Sequence, residues 1–347
     1  MLLKLILLIT IYINFTISAI NGESNDTIFK RAVNRTYIGF EKEKNREWRQ
    51  SYHFIQGADT QFGMIETFLK NKTDGKWDEE IQLTEEAIRQ WNSMKPKPKF
   101  VVICGDLVDD FPGHEPRRQQ QLDDFKRAFE KLDRDIPLVL LGGNHDFLNT
   151  PTHESIAAYK TNFGDDYFTF WVDGCMFIVI NVQYYKDHQL VEDLYAEHDQ
   201  WLTKQLAEAK AGNYKHVIVF QHIPWFLNNI DEPLDEMFNI EITVRKKMIQ
   251  KFVDAGVRAI FAGHYHRNAG GRYEDLELVV TSAIGAQSPT GRNANSGYRV
   301  VTVNESDVSH EYIDIYKSDT KSMFEFNLFR LLTLIVIAFI IKKLVMN

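Results

Sequence analysis

The feature that most constrains the fold is an alternation of short apolar runs with stretches of helical periodicity. Apolar runs of this length are typical of buried strands, and helical stretches between them imply βαβ units with a largely parallel sheet. The later runs follow one another with few helices between them, which suggests a second sheet with antiparallel pairing. The sequence therefore predicts one α/β domain over Tyr52–Ile315.

The predicted elements follow directly from this pattern. The strand-like runs are Tyr52–Ala58, Lys99–Gly105, Pro137–Gly142, Phe168–Val172, Cys175–Val182, His216–Gln221, Val257–Ala262, Leu276–Ser282 and Tyr298–Val303. The helical stretches are Trp77–Met94, Gln119–Leu132, Glu154–Phe163, Glu197–Ala211 and Thr243–Ala255. Within the first of these, Ile81, Ile88 and Trp91 share one face at helical spacing, which predicts a packed core.

Composition excludes some classes of protein. The chain has 347 residues, of which 44% are apolar and 25% charged, as in an ordinary globular protein. Its net charge of −8 argues against a nucleic-acid surface, which relies on clustered lysine and arginine. The two cysteines, Cys104 and Cys175, both lie in apolar runs and are expected to be buried free thiols.

The two ends of the chain predict a location in the secretory pathway. Residues 1–20 resemble a signal peptide, and residues 21–50 a polar stalk that precedes a domain at 51–316. Residues 323–341 form a short apolar stretch that we interpret as a transmembrane helix, with 342–347 as a cytosolic tail. An uncleaved N-terminal anchor, a GPI-attachment signal and an interfacial helix are the alternatives.

Together these ends predict a single-pass glycoprotein with its domain in the lumen or outside the cell. The N-glycosylation triplets that agree with this location begin at Asn25, Asn34, Asn71 and Asn304.

Five of the apolar runs end in polar clusters whose side chains are suited to bind metal ions. The clusters are Asp59-Thr60-Gln61, Gly105-Asp106-Leu107-Val108-Asp109, Asn144-His145-Asp146, His222-Ile223-Pro224 and Gly263-His264-Tyr265-His266. Each alone is a weak signal, since a Gly-Asp pair is usually a turn and a lone histidine is often a core residue. In an open α/β sheet, however, the carboxyl ends of the strands meet at one crevice, where ligands bind.

The donor types indicate which ion such a crevice would hold. Carboxylate, carboxamide and imidazole groups without thiolate suit a divalent ion such as Mn, Fe or Zn. The donors outnumber what a single tetrahedral site needs, so two divalent ions are expected. The sequence therefore predicts a two-metal centre in this crevice.

These clusters resemble the motif series of calcineurin-like metallophosphoesterases. The segments Gly57–Gly63, Phe220–Pro224 and Gly263–Gly271 are similar, more narrowly, to the calcineurin-like phosphoesterase domain-containing serine/threonine phosphatase group. The likeness runs from about Phe54 to Tyr312. It implies a fold in which two mixed β-sheets pack as a sandwich flanked by helices.

The resemblance also implies roles for single residues. Asp59, Asp106 and His266 would hold the first metal ion. The second would share Asp106 and be held further by Asn144, His222 and His264. His145 would face the leaving group, oriented by Asp109, and Arg267 and Asn268 are candidates for contact with the substrate phosphate.

One position departs from the broad family pattern. The first motif there is Asp-x-His, whereas this chain has Gln61 in the third position, as the narrower group does. A carboxamide oxygen is a poorer ligand for a transition metal than an imidazole. Gln61 is therefore a further candidate ligand, and the occupancy of the first site stays open.

The expected activity is hydrolysis of a phosphate ester, most simply a phosphomonoester as in a phosphoprotein phosphatase. Two alternatives remain from the residues. One is a phosphodiesterase that acts on a nucleotide or a lipid head group. The other is a metal-binding ectodomain without catalysis.

Overall fold

Two β-sheets form the framework of the protein in a computed structural model, which describes residues 29–72, 74–285 and 295–316. The strands, in chain order, are β1 Ala32–Val33, β2 Thr36–Tyr37, β3 Tyr52–Gly57, β4 Val101–Cys104, β5 Leu138–Leu141, β6 Phe168–Val172, β7 Cys175–Val179, β8 Val217–Phe220, β9 Val257–Ala262, β10 Ala269–Tyr273, β11 Leu276–Val280, β12 Gly297–Val303 and β13 Val308–Asp314.

Helices connect the strands. They are α1 Lys42–Asn45, α2 Asp78–Ser93, α3 Arg117–Phe129, α4 Asn144–Phe147, α5 His153–Phe163, α6 Gln183–Lys186, α7 Glu192–Ala211 and α8 Ile242–Asp254, with a π-helical turn at Ile65–Leu69. The amphipathic pattern is visible in α2, where Ile88 and Trp91 are buried on the inner face.

Each sheet mixes parallel and antiparallel pairs. The first has the order β13-β12-β3-β4-β5, with β3, β4 and β5 parallel and β12 antiparallel to both of its neighbours. The second has the order β1-β2-β6-β7-β8-β9-β11-β10, with a parallel centre from β7 to β11. The predicted fold class, two mixed sheets flanked by helices, is confirmed.

Phenylalanine side chains fill the space between the two sheets. Phe54 of β3 stacks on Phe100 at a centroid distance of 4.6 Å and meets Phe177, Phe220 and Phe261 of the other sheet edge-on at 5.7–6.0 Å. Such geometries stabilise aromatic clusters beyond the burial of their area. Cys104 and Cys175 lie in the same layer as buried free thiols, as expected.

The outer faces of the sheets are covered by helices. Trp91 of α2 and Phe125 of α3 pack over the first sheet, and Leu202 of α7 and Phe252 of α8 pack over the second. The sheets are thus buried on both faces, which accounts for strands that read as continuous apolar runs.

Residues 29–50, expected to belong to a polar stalk, instead pack onto the domain. Strand β2 pairs in parallel with β6, and Tyr37 and Phe40 contribute to the layer between the sheets. Tyr37 donates its hydroxyl to the carbonyl of Leu138 at 2.9 Å. Burial of these aromatic side chains was not predicted, because charged residues surround them in the sequence.

The expected single-pass membrane topology in the secretory pathway is corrected by the structure. No helix within the described ranges combines the length and the apolar character that crossing a membrane requires. The signal peptide at 1–20, the transmembrane segment at 323–341 and the tail at 342–347 were placed on residues outside the described ranges.

Candidate metal centre

The predicted ligands lie where strands of both sheets end. Asp59 follows β3, Asp106 follows β4 and Asn144 follows β5, so the first sheet supplies three of them. His222 follows β8, and His264 and His266 follow β9, so the second sheet supplies the other three. The carboxyl ends of these strands open onto the same crevice, as a parallel arrangement requires.

Three of these side chains form a first group. Donor atoms of Asp59, Asp106 and His266 all lie within 4.8 Å of one another, and all three residues are buried. Nε2 of His266 lies 3.4 Å from Oδ1 of Asp59, whose carboxylate also accepts the backbone N–H of His264 at 3.0 Å. Buried carboxylates and an imidazole that converge in this way form a cradle for a cation.

A second group shares one residue with the first. Donor atoms of Asp106, His222 and His264 also lie within 4.8 Å of one another. Nε2 of His222 lies 3.2 Å from Oδ2 of Asp106 and 3.2 Å from Oδ1 of Asn144. Asp106 therefore stands between the two groups, and Asn144 lies at the second.

Backbone carbonyls set the orientation of two imidazoles. Nδ1 of His222 donates to the carbonyl of Cys104 at 2.8 Å, which leaves Nε2 free to face Asp106. Nε2 of His264 donates to the carbonyl of Met237 at 2.7 Å, which leaves Nδ1 as its ligand atom. A hydrogen bond from the non-ligating nitrogen is the usual way in which proteins fix a metal-binding histidine.

The backbone at the donor residues has unusual φ values and makes close contacts. Asp59, Asp106, His264 and His266 all have positive φ values, between 49° and 70°. This region is sparsely populated by non-glycine residues, and departures of this kind cluster at functional sites. A Cβ atom at Gly143 would lie 2.2 Å from Oδ1 of Asp106, so only glycine lets β5 approach this carboxylate.

The nitrogen of the Gln61 amide is hydrogen-bonded, whereas its oxygen has no hydrogen-bond partner among the described residues. Its Nε2 donates to Oδ1 of Asp109 at 3.2 Å and lies 3.1 Å from Nε2 of His145. A carboxylate accepts hydrogen bonds, which fixes this amide orientation. Oε1 of Gln61 is then buried with no hydrogen-bond partner among the described residues. An orphaned buried oxygen at this place is what a metal ligand would leave.

His145 lies at the cavity wall beside this amide. Its Nδ1 donates to the backbone carbonyl of Asp109, while the Asp109 carboxylate is 3.8 Å away. The ring stacks on Phe111 with a centroid distance of 4.4 Å. The hydrogen bond between His145 and Asp109 thus involves the main chain of Asp109 rather than its side chain, and the stacking on Phe111 adds a second contact.

The charges of the site depend strongly on burial. Burial acts to raise the pKa of Asp106, but His222 and His145 outweigh it and hold the pKa below its ordinary value. Burial acts to lower the pKa of His222, but Asp106 outweighs it and raises the pKa to about 9. Burial lowers the pKa of His264 to about 4. The centre thus favours a positive charge next to Asp106.

Two predicted substrate contacts do not line the cavity. The carbonyl oxygen of the Asn268 amide accepts from Arg299 at 2.8 Å, which ties Asn268 to β12. The guanidinium of Arg267 lies 5.4 Å from the ring of Tyr265. Neither residue is among the described residues around the central cavity of about 620 Å³, whereas Gln61, His145 and His264 are.

Three residues that contribute to the site were given no role from the sequence. Phe111 stacks on His145, the carbonyl of Met237 orients His264, and Asp146 accepts the N–H groups of Leu107 and Gly143 at 3.2 and 2.9 Å. Asp146 lay inside a recognised motif and was visible as a candidate. The other two lie in loops without a motif, so only the fold reveals them.

The donor set fits a pair of divalent cations. Both groups combine carboxylate and imidazole donors, Asp106 is common to both, and Gln61, whose Oε1 is orphaned, lines the same cavity as Asp106. Thiolates are absent from these two groups, which favours harder or borderline ions over soft ones.

Comparison with known proteins agrees with this site. A family model described as calcineurin-like phosphoesterase matches residues 53–268. The serine/threonine-protein phosphatase CPPED1 of Homo sapiens is 46% identical over 299 residues, which cover 85% of this chain and 94% of the human protein.

Two solved structures share the fold. Purple acid phosphatase PPD1 from yellow lupin (Lupinus luteus) superposes with a TM-score of 0.56 at 13% identity, over 78% of this chain and 52% of that one. A dimetal phosphatase from Danio rerio has a TM-score of 0.52 at 16% identity, over 76% of this chain and 99% of that one. At these identities the likeness concerns the fold alone.

Proposed function

The chain belongs to the calcineurin-like phosphoesterase family and is a metal-dependent phosphoesterase of the phosphatase type, and we propose that it hydrolyses phosphate monoesters on phosphoproteins. The observation that carries this proposal is the pair of buried donor groups that share Asp106. The name of its human relative, a serine/threonine-protein phosphatase, supports a phosphorylated protein as the substrate.

In this proposal each group holds one divalent ion. Asp59, Asp106 and His266 would hold the first, with Oε1 of Gln61 as a further ligand. Asp106, Asn144, His222 and His264 would hold the second. Manganese, iron or zinc fits the oxygen and nitrogen donors. The chemistry that such a pair supplies when bound is Lewis acidity toward phosphoryl oxygens and a lowered pKa of water.

His145 is the residue that we propose to assist the leaving group. Its Nδ1 is held by the carbonyl of Asp109, so Nε2 is the nitrogen left to face a substrate oxygen. That nitrogen now lies 3.1 Å from the Gln61 amide. The Gln61 N–H group can only donate to this Nε2, so the nitrogen carries no proton in this arrangement. To protonate the departing oxygen, His145 must first take up a proton from water to become an imidazolium, and Nε2 must exchange the Gln61 contact for one with the substrate.

The phenylalanine ring of Phe111 limits how His145 can move during this exchange. The two rings are nearly parallel, with 14° between their planes. Asp109 and Phe111 therefore act as positioning residues, because both restrain the imidazole without a predicted contact to the phosphate.

The experiment that tests the proposal is hydrolysis of p-nitrophenyl phosphate and bis-p-nitrophenyl phosphate by the full chain with Mn²⁺. Asp106→Asn and His145→Ala are the test variants, and Asp123→Asn, on the exposed face of α3, is the matched control. We expect turnover of the monoester that Asp106→Asn abolishes and the control retains. Preference for the diester would assign a phosphodiesterase, and no turnover by folded, metal-loaded protein would refute the proposal.

A further inference from the structure

The cavity beside the metal centre has apolar walls. Phe68 belongs to the π-helical turn and Met64 directly precedes it, Phe111 comes from the loop after β4, and Met237 and Phe238 come from the segment between β8 and α8. These residues are remote in sequence, yet they line one cavity together with His145 and His264. The phosphate site therefore continues directly into an apolar surface.

Two of these side chains are unusually exposed for their type. Phe68 has 70% and Met237 has 66% of its surface accessible. Single exposed apolar residues are common, but two large ones at the same catalytic cavity form a surface suited to bind an apolar group. Burial of such side chains by a ligand would contribute to affinity through the hydrophobic effect.

Cations are scarce on the same walls. Among the lining residues that the structure describes, Lys186 is the one lysine or arginine side chain. Its Nζ donates to the backbone carbonyls of Glu236 and Asn239, at 2.5 and 2.8 Å. Glu236 adds a carboxylate to the lining. A substrate with several phosphate groups would need more cationic partners than these walls supply.

Hydrogen bonds from buried side chains hold the segment that carries Met237 in place. Arg245 is fully buried and donates to the carbonyls of Ile230, Glu232 and Ile240 at 2.7–3.1 Å. The Glu232 carboxylate accepts the N–H of Leu227 at 2.6 Å. With so many hydrogen bonds inside the segment, the apolar wall is preformed, and binding need not order it.

We propose that this wall is a specificity subsite that binds a large apolar side chain next to the phosphorylated residue of a protein substrate. The inference rests on the proposed phosphatase function and deepens it. The phosphate lies at the donor groups, and the neighbouring apolar side chain contacts Phe68 and Met237. Binding at this subsite favours esters with an apolar flank over those with a polar flank.

The test compares phosphoserine peptides that differ in one flanking residue, leucine or serine, at each side of the phosphoserine. The full chain with Mn²⁺ is used, and p-nitrophenyl phosphate is measured in parallel. We expect kcat/KM to be about tenfold higher for the leucine peptide at one flank, as is typical for one apolar group in an apolar pocket. The ratio should fall toward one in the Phe68→Ser, Met237→Ser double variant.

The matched control is Ile38→Ser, since Ile38 is 56% exposed and lies outside the cavity lining. This variant should retain the wild-type ratio. Equal kcat/KM for the two peptides, or a preference that survives the double variant, would overturn the subsite while leaving the phosphatase function intact. Absence of turnover by the folded wild-type chain on every substrate, p-nitrophenyl phosphate included, would overturn both the subsite and the phosphatase function.

Discussion

Nε2 of the Gln61 amide lies 3.1 Å from Nε2 of His145, so the residue that departs from the broad family motif touches the proposed leaving-group histidine. The same amide is bonded to Asp109, and its oxygen is buried without a partner among the described residues. Gln61 thus contacts His145 through its nitrogen and lines the cavity that also holds Asp106 and His266.

Replacement of Gln61 should affect both neighbours. In Gln61→Leu we expect a lower metal content, because a proposed ligand oxygen is lost, and a fall in kcat/KM of about 10–100-fold, the size of loss that removal of a supporting residue at a metal site typically causes. Metal per chain and steady-state kinetics measure the two effects. Gln250→Leu, on the exposed face of α8, is the control. A variant with full metal content and unchanged kinetics would contradict a role for Gln61.

Loss of His145 should depend on the leaving group. An alkoxide such as that of serine is a strong base and needs a proton, whereas p-nitrophenolate leaves without one. We expect His145→Ala to slow hydrolysis of a phosphoserine peptide by about 10²–10⁴-fold and that of p-nitrophenyl phosphate by much less. His153→Ala, an exposed histidine paired with Asp193, should change neither rate. Equal losses on both substrates would argue against proton donation.

Metal content should reflect the sharing of Asp106. Because this carboxylate belongs to both donor groups, Asp106→Asn should reduce binding of both ions, whereas His266→Ala should mainly reduce one. The measurement is metal per folded chain by elemental analysis after loading with Mn²⁺ or Zn²⁺. If the two variants lost equal amounts, Asp106 would not be the shared ligand.

Arg245 should be important for stability and for the apolar wall. Arg245→Met leaves the carbonyls of Ile230, Glu232 and Ile240 without their buried donor, at a cost of about 1–3 kcal/mol each in comparable cases. We expect a lower unfolding free energy and faster proteolysis near residues 228–240. Arg127→Met, at an exposed position of α3, is the control. Unchanged proteolysis would mean that the segment keeps its structure without the hydrogen bonds of Arg245.

His198 should make the fold sensitive to acid. The ring is fully buried, and neither nitrogen has a hydrogen-bond partner in the described part of the chain. Burial lowers its pKa to about 4, and the opposing effects of Asp166 and Asp199 are smaller. The unfolded chain has a pKa of about 6.5 at this residue and so binds more protons between these values.

The stability that neutral His198 contributes is therefore complete above pH 6.5 and is lost as the pH falls toward 4, by roughly 3 kcal/mol in total. Urea unfolding of the metal-free chain at several pH values measures this loss. His198→Leu should show a shallower decrease than wild type, while the exposed control His153→Leu should not. Identical slopes for wild type and His198→Leu would refute the assignment.

Much of the fold was predictable because its strands are buried on both faces. A strand such as Val217–Phe220 is apolar throughout, and this signal survives in the sequence. The edge strand Ala269–Tyr273 was missed, since its glycines and arginine lack that signal and it is held only by pairing with β11. Strand β2 was missed because it consists of only Thr36 and Tyr37, which is too short a run to recognise.

The residues of the two donor groups could be predicted to lie together because each follows a strand, so that local sequence alone marks it. Phe111 and Met237 carry no such mark. Their positions depend on where long loops return to the cavity, which is a tertiary effect. Arg267 shows that neighbourhood in the chain does not fix a place in the fold: it is adjacent to His266, yet it is not among the residues that line the cavity.

The partition of the donors between the sheets gives a bound cation a mechanical role. Asp106 belongs to the first sheet and His222 to the second, and the two sheets form separate hydrogen-bonded ladders among the described strands. An ion held by both would therefore cross-link the layers of the sandwich and resist their sliding over the phenylalanine layer. Chelation would remove this cross-link, and resistance to heat would rise and fall with the free metal concentration.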